Sequence, residues 1–93
     1  MRIAAYTVTI IIPSSQSLKD KRRIIKSIKD RLRVKYNIAI AEVDGQDLWQ
    51  RSTLAIVSVS NDEAFLNSVF STIRGEIENL VPGHIAEEHL EIL

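Results

Sequence analysis

The chain has no cysteine, three glycines, two prolines and two histidines, and only 5% of its residues are aromatic. Each shortage removes a class of chemistry. Without cysteine there is no disulfide framework, no thiolate nucleophile and no thiolate metal site. His84 and His89 are too few and too scattered to build a metal centre. Three separated glycines make neither a phosphate-binding loop nor a dinucleotide fingerprint, and no serine has a His/Asp partner set. The longest apolar stretch, Ile3 to Ile12, is broken by Thr7 and Thr9, far short of the roughly 20 residues that span a bilayer. The N-terminal residues lack the charged-then-apolar pattern of a secretory signal. These absences predict a cytoplasmic protein with no membrane association, no metal or other cofactor and no catalytic constellation.

What is present is a folded domain with its charge sorted along the chain. Ninety-three residues, 45% hydrophobic and 26% charged, make one domain, residues 1–93, with enough apolar surface for a single core. The formal net charge is zero. Yet Lys19, Lys21, Arg22, Arg23, Lys26, Lys29, Arg31, Arg33 and Lys35 crowd one segment, interrupted only by Asp20 and Asp30, while acids dominate the second half. A concentrated positive stripe attracts and steers polyanions, so nucleic acid is the first partner to consider.

The local pattern alternates strands and helices. Residues 2–12 are rich in β-branched and other apolar side chains and are closed by Pro13, a strand. Ser17 followed by Asp20 reads as a weak capping box, starting a helix that runs to about Tyr36 and stops at Asn37. Ile38–Val43 and Ser52–Val59 read as strands joined through Asp44-Gly45-Gln46-Asp47, with Asp-Gly the strongest local hairpin signal. Asn61 or Ser60 is placed to cap a second helix with Asp62 and Glu63 in its first turn. Its apolar residues Phe65, Leu66, Val69, Phe70, Ile73, Ile77 and Leu80 follow the helical repeat, and Pro82-Gly83 ends it. Residues 84–93 form a weaker last strand. Two right-handed crossovers around a central hairpin predict an α+β, ferredoxin-like βαββαβ sandwich, with antiparallel sheet order 4-1-3-2 and both helices on one face.

At about 100° per residue the first helix separates two faces. Leu18, Ile24, Ile25, Ile28, Leu32 and Tyr36 form a core stripe. Lys19, Arg22, Arg23, Lys26, Lys29 and Arg33 gather in another arc, with Asp30 among them. Lys21 and Lys35 point with the apolar side, and Lys21 is expected to pair with Asp44 or Asp47. The six-residue arc spans roughly 20 Å, long enough to track several phosphates without reading bases. The plainer alternative is a solvated face, or one paired with the protein's own acidic half, although i,i+4 partners for the stripe look sparse.

The segment SLKDKRR (Ser17–Arg23) and, about twenty residues later, AEVDGQDLWQRSTLAI followed by VSND closely resemble the YlxP-like family of small bacterial proteins of unknown function. The resemblance covers nearly the whole chain. It implies a ferredoxin-like fold and supplies no catalytic residue. Members are typically encoded among transcription and translation genes, beside a translation initiation factor and a ribosome-binding factor, which implies work on RNA or the ribosome. Where members usually show polar residues on one side of the first strand, this chain has Ala5, Thr7, Thr9 and Ile11.

A second cluster sits at the loop edge: Lys21, Asp44, Gln46, Asp47, Trp49, Gln50 and Arg51. Its carboxylates could ligate Mg²⁺ or move protons, but the plainer reading is a hairpin whose acids bond loop amides and nearby lysines, with Trp49 shielding the core or anchoring a partner. The topology brings this hairpin, the start of the first helix and His84 to one edge. Base stacking on the sheet fits badly: Tyr6 is the only aromatic in a strand, and Phe65 and Phe70 are assigned to a helix core. The sequence therefore predicts a non-catalytic binder of ribosomal RNA or the ribosome, using the basic helix face. The alternative is a dimeric protein-interaction or small-ligand regulatory module with no nucleic-acid role, its homodimer formed through an apolar outer sheet face.

Overall fold

In a computed structural model describing residues 1–93, strand β1 (Arg2–Ile11) leads into helix α1 (Leu18–Lys35), strands β2 (Ala39–Asp44) and β3 (Arg51–Ser60), helix α2 (Glu63–Leu80) and strand β4 (His84–Ile92). The strands form one antiparallel sheet in the order β2-β3-β1-β4, the architecture expected from the sequence. No helix is long and apolar enough to cross a membrane.

Alternation along β1 and β3 decides which face is covered. Ala4, Tyr6, Val8, Ile10, Leu54 and Ile56 are buried on one side, where Ile25, Ile28 and Leu32 of α1 and Leu66, Phe70, Ile73 and Ile77 of α2 complete a single core. Each fully buried leucine or isoleucine contributes roughly 1.5–3 kcal/mol, so this cluster dominates folding. The rings of Tyr6 and Phe70 meet at 5.8 Å and 59°, a tilted aromatic contact.

Helix termini follow local chemistry. The Ser17 side chain accepts from the Asp20 amide at 3.0 Å, and an Asp20 carboxylate oxygen accepts from the Gln16 amide at 3.2 Å. This capping exchange reaches one residue further back than a standard box. In α2 the cap is Asp62, which accepts from the Phe65 amide at 3.2 Å. Neither Asn61 nor Ser60, the expected caps, takes the role, and Ser60 instead accepts from the Asp62 amide. Phe65 is also corrected: it lies 57% exposed, because at about 100° per residue it falls to one side of the arc buried by Leu66, Phe70, Ile73 and Ile77.

Two bulges adjust the outer strands. Ala86 is the extra residue of β4, between Glu87 opposite Thr9 and Ile85 opposite Ile10. Val43 is the extra residue of β2: Glu42 faces Leu54, but Asp44 faces Thr53. Glu42 keeps the helix-facing side of Ile40, and the shift turns Asp44 to the open face.

β2 and β4 are the sheet's two edges. On the β2 edge the Arg33 guanidinium donates to the Ile40 carbonyl at 3.0 Å, occupying an acceptor that another strand would otherwise meet. The open face of the sheet is apolar at one end, where Ile3, Ala39, Val57 and Val59 border a shallow hollow. It becomes polar at the other end, where Thr9 and Thr53 share a hydrogen bond of 2.8 Å near Glu87 and His89.

Candidate nucleic-acid interface

The basic arc of α1 is an outer face of the molecule. Lys19, Arg22, Arg23, Lys26 and Arg33 are exposed and Lys29 is half-buried. Arg22, Lys26, Lys29 and Arg33 line a groove with Ile25, Asp30 and Glu42, running between the helix and the β2 edge. The ion pairs are more numerous than the sequence suggests. Arg23 pairs with Asp20 at 3.3 Å, Lys26 with Asp30 at 2.6 Å, and Arg33 approaches Asp30 at 4.0 Å. Hydrogen bonding from Lys26 holds the Asp30 carboxyl below its ordinary range. Lys19, Arg22 and Lys29 have no carboxylate partner within ion-pair distance. The acidic half of the chain does not neutralise the stripe. Its contact with α1 is the pair Lys35–Glu76 at 2.9 Å, on the side facing α2.

Lys21 sits apart from this face. Its side chain is fully buried, and its ammonium lies 3.0 Å from a Glu42 carboxylate oxygen. It also donates to the carbonyls of Gly45 at 2.5 Å, Gln46 at 3.3 Å and Arg51 at 3.4 Å. The expected partners Asp44 and Asp47 are thus replaced by Glu42. The Val43 bulge is the reason, since it sends Asp44 to the opposite face, where its carboxylate accepts from the Gly45 amide at 2.8 Å. Glu42 also accepts from the Ser52 hydroxyl at 2.6 Å, so no buried polar side-chain atom is left without a partner. Sequence reading missed Glu42; alternation from Ile40 puts it on the helix side, but nothing in the spacing removes Asp44 from competition until the bulge is known.

Lys21 thereby ties the β2–β3 loop to the first turns of α1. Gln50 adds a second tie, its side-chain amide donating to the Pro13 and Ser15 carbonyls at 3.1 Å each. Within the loop, Leu48 donates its amide to the Gly45 carbonyl at 3.0 Å, and Gly45 adopts φ +79°, which favours glycine. The expected convergence of loop, helix start and β1 end is therefore present. Trp49 does not shield the core; it is 55% exposed and borders a shallow surface with Ile11, Leu48, Gln50 and Arg51. His84 lies opposite Ile11 and His89 opposite Thr7, both exposed. No group of three or more His, Asp or Glu side chains is arranged to hold a metal ion.

A third polar cluster joins β1, α2 and β4. Tyr6 donates to Glu88 at 3.0 Å, and Arg74 donates from Nε to both Glu88 oxygens at 2.7 Å and from a terminal nitrogen to Glu78 at 2.6 Å. Tyr6 is buried on the helix side, so the open sheet face presents no aromatic platform for bases.

Sheet order, crossovers and one-sided helices define a ferredoxin-like α+β domain, carrying here a basic helix face and a pinned loop at one edge. A family model described as "Protein of unknown function (DUF503)" matches residues 3–90, and the chain belongs to that family. It is 43% identical over 51 residues to the uncharacterized protein YlxP of Bacillus subtilis (strain 168), an alignment spanning 55% of each chain, about half the length of that relative. Among solved structures, the de novo designed protein Foldit4 superposes with a TM-score of 0.57 at 15% identity, over 100% of this chain and 97% of its own. That likeness concerns the fold alone. A second designed protein, titled as having a ferredoxin fold, gives a TM-score of 0.43 at 12% identity, over 100% of this chain and 83% of its own.

Proposed function

We infer that this protein is a non-catalytic RNA-binding protein of the cytoplasm, acting on ribosomal RNA or the ribosome through the outer face of α1. The observation that carries this reading is the unpaired set Lys19, Arg22 and Lys29, in a stripe whose other cations share only Asp20 and Asp30. Three cations with no intramolecular partner leave a local positive excess on a neutral chain. Lys19 also lies in the first turn of α1, where the helix dipole disfavours a cation, so an anionic ligand would relieve an existing repulsion. A groove of this kind suits backbone phosphates rather than base edges. Filter binding to ribosomal RNA over a salt series tests the reading. Affinity should fall steeply with salt, and Arg22→Glu with Lys29→Glu should flatten that dependence. Binding that ignores salt, or that survives both reversals, defeats it.

A second reading rests on the open sheet face. Val57 and Val59 are 40% and 51% exposed beside Ile3 and Ala39. Face-to-face pairing of two copies would cover them, making the protein a homodimeric interaction module. Sedimentation equilibrium separates the readings: a dimer lost on Val57→Lys supports this one, and a monomer at high micromolar concentration removes it.

A further inference from the structure

The open face of the sheet, opposite the helices, carries a protrusion at one end and a hollow at the other. Trp49, the chain's only tryptophan, is more than half exposed and borders Ile11 and Arg51 at the loop end. Its loop is fastened by Lys21 at three carbonyls and by Gln50 at two more, so the indole stands in water on a fixed base. Ile3, Ala39, Val57 and Val59 border the hollow at the opposite end. Between the two ends Ala5, Thr7, Ala41 and Ala55 present only small side chains. No charged residue stands on this face of β1, nor on this face of β3 from Thr53 to Val59. Charge is kept to the margins, in Arg51, in Asp44 on β2 and in Glu87 and Glu91 on β4. An uncharged centre with a polar margin is the anatomy of a protein interface.

The spacing of these features selects the partner. Thr7 and its cross-strand neighbour Ala55 lie four residues from Ile3 and Val59 at one end, and four from Ile11 and Arg51 at the other. A twofold axis running across the strands at Thr7 and Ala55 therefore lays the Trp49 end of one copy over the hollow of the other, twice. We propose that the open face is covered by a second copy of this chain, related by that axis, with Trp49 of each copy seated in the hollow of its partner. This rests on the dimer reading above and adds to it the orientation and the anchor. A twofold interface uses one self-complementary patch twice, so a protrusion and a hollow on the same face complete each other. An axis along the strands would instead set protrusion against protrusion and leave both hollows uncovered. Four strands about 4.8 Å apart and roughly 30 Å long present roughly 500–600 Å² per copy. Two such faces reach the roughly 1,000 Å² that a specific interface needs, before Trp49 is counted. Fixing the indole in advance lowers the entropy lost on association. Both α1 helices stay on the outer surfaces, so the dimer contact and the basic face do not compete.

Tryptophan emission reports Trp49 alone, and sedimentation equilibrium reports assembly. The wild-type protein should dimerise, its emission shifting to the blue as concentration rises, because the indole leaves water for the hollow. Trp49→Ala and Val59→Lys should each raise the dimer dissociation constant at least about thirtyfold, the loss expected of a buried aromatic anchor or its pocket. Circular dichroism establishes that each variant is folded. The two variants mixed well above the wild-type midpoint should form more dimer than either alone, since one contact of protrusion and hollow is then intact. The only tryptophan in that mixture belongs to the Val59→Lys chain, and its emission should shift to the blue when the Trp49→Ala chain is added. A wild-type monomer at high micromolar concentration removes the dimer reading and this proposal together. A dimer indifferent to Trp49→Ala, or a mixture without the blue shift, overturns the orientation proposed while leaving the dimer reading intact.

Discussion

The ammonium of Lys21 lies 3.0 Å from Glu42, with the lysine side chain 1% exposed and the glutamate 18% exposed. A cation at a core position of an otherwise apolar helix stripe is costly unless every proton has an acceptor. The Glu42 carboxylate and three loop carbonyls meet that requirement, and Ser52 completes the glutamate's own shell.

Lys21→Met should therefore destabilise the protein by about 3–5 kcal/mol in urea unfolding, because it leaves a partly buried carboxylate without its counter-charge and removes the ammonium from three loop carbonyls. Glu42→Gln should cost clearly less, since an amide oxygen still accepts from both Lys21 and Ser52. Hydrogen exchange in Lys21→Met should show the β2–β3 loop opening first. Equal costs for the two variants would contradict this account.

The same substitution at two glycines should have opposite signs. Gly75 lies half-buried in the body of α2, and a methyl group there meets nothing within 4 Å. Gly75→Ala should stabilise by about 0.5–1 kcal/mol through helix propensity. At Gly83 an added Cβ would collide with the Ile11 carbonyl, a backbone atom at the tight entry to β4. Gly83→Ala should destabilise by at least about 2 kcal/mol. Thermal unfolding of the two variants checks both.

Most of this architecture is legible in the residues themselves. Period-2 runs, helical apolar spacing, Pro13 and Pro82-Gly83 place every element within a residue or two, and the two crossovers fix the sheet order. The basic arc is legible too, because a helical wheel needs no tertiary information. What escapes is anything that depends on register. Val43 looks like an ordinary strand residue, yet its bulge sends Asp44 to the open face and leaves Glu42 as the partner of Lys21. Phe65 fits a broad apolar stripe, but the stripe does not say how wide an arc the sheet covers, and Phe65 lies at its flank. The cations that Asp20 and Asp30 claim depend on rotamers that spacing alone does not choose.

Stability should change at both ends of the pH scale. Hydrogen bonding from Lys35 depresses the Glu76 carboxyl, as Lys26 depresses that of Asp30. A carboxyl depressed in the folded state contributes stability above its unfolded value, roughly pH 4, and loses it as pH falls through the folded value. The thermal midpoint should thus drop below about pH 4, and Glu76→Gln should shallow the slope. Tyr6 is raised by burial first and by Glu88 second. Its contribution is present below the unfolded value near pH 10 and is lost as pH rises beyond it. Absorbance at the phenolate band should show Tyr6 resisting ionisation until the alkaline transition, and Tyr6→Phe should flatten that limb.

The bond from Arg33 to the Ile40 carbonyl has a practical side. A bare strand edge is a template on which further copies can add, the first step toward fibrils. Arg33 keeps one rung of that template occupied and parks a cation across it. Arg33→Ala should leave the monomer folded while raising thioflavin-positive material on prolonged incubation. A loss of ligand binding after changing Arg33 would thus need separating from a loss of soluble protein, whereas Arg22 and Lys29 make no such contact with the edge.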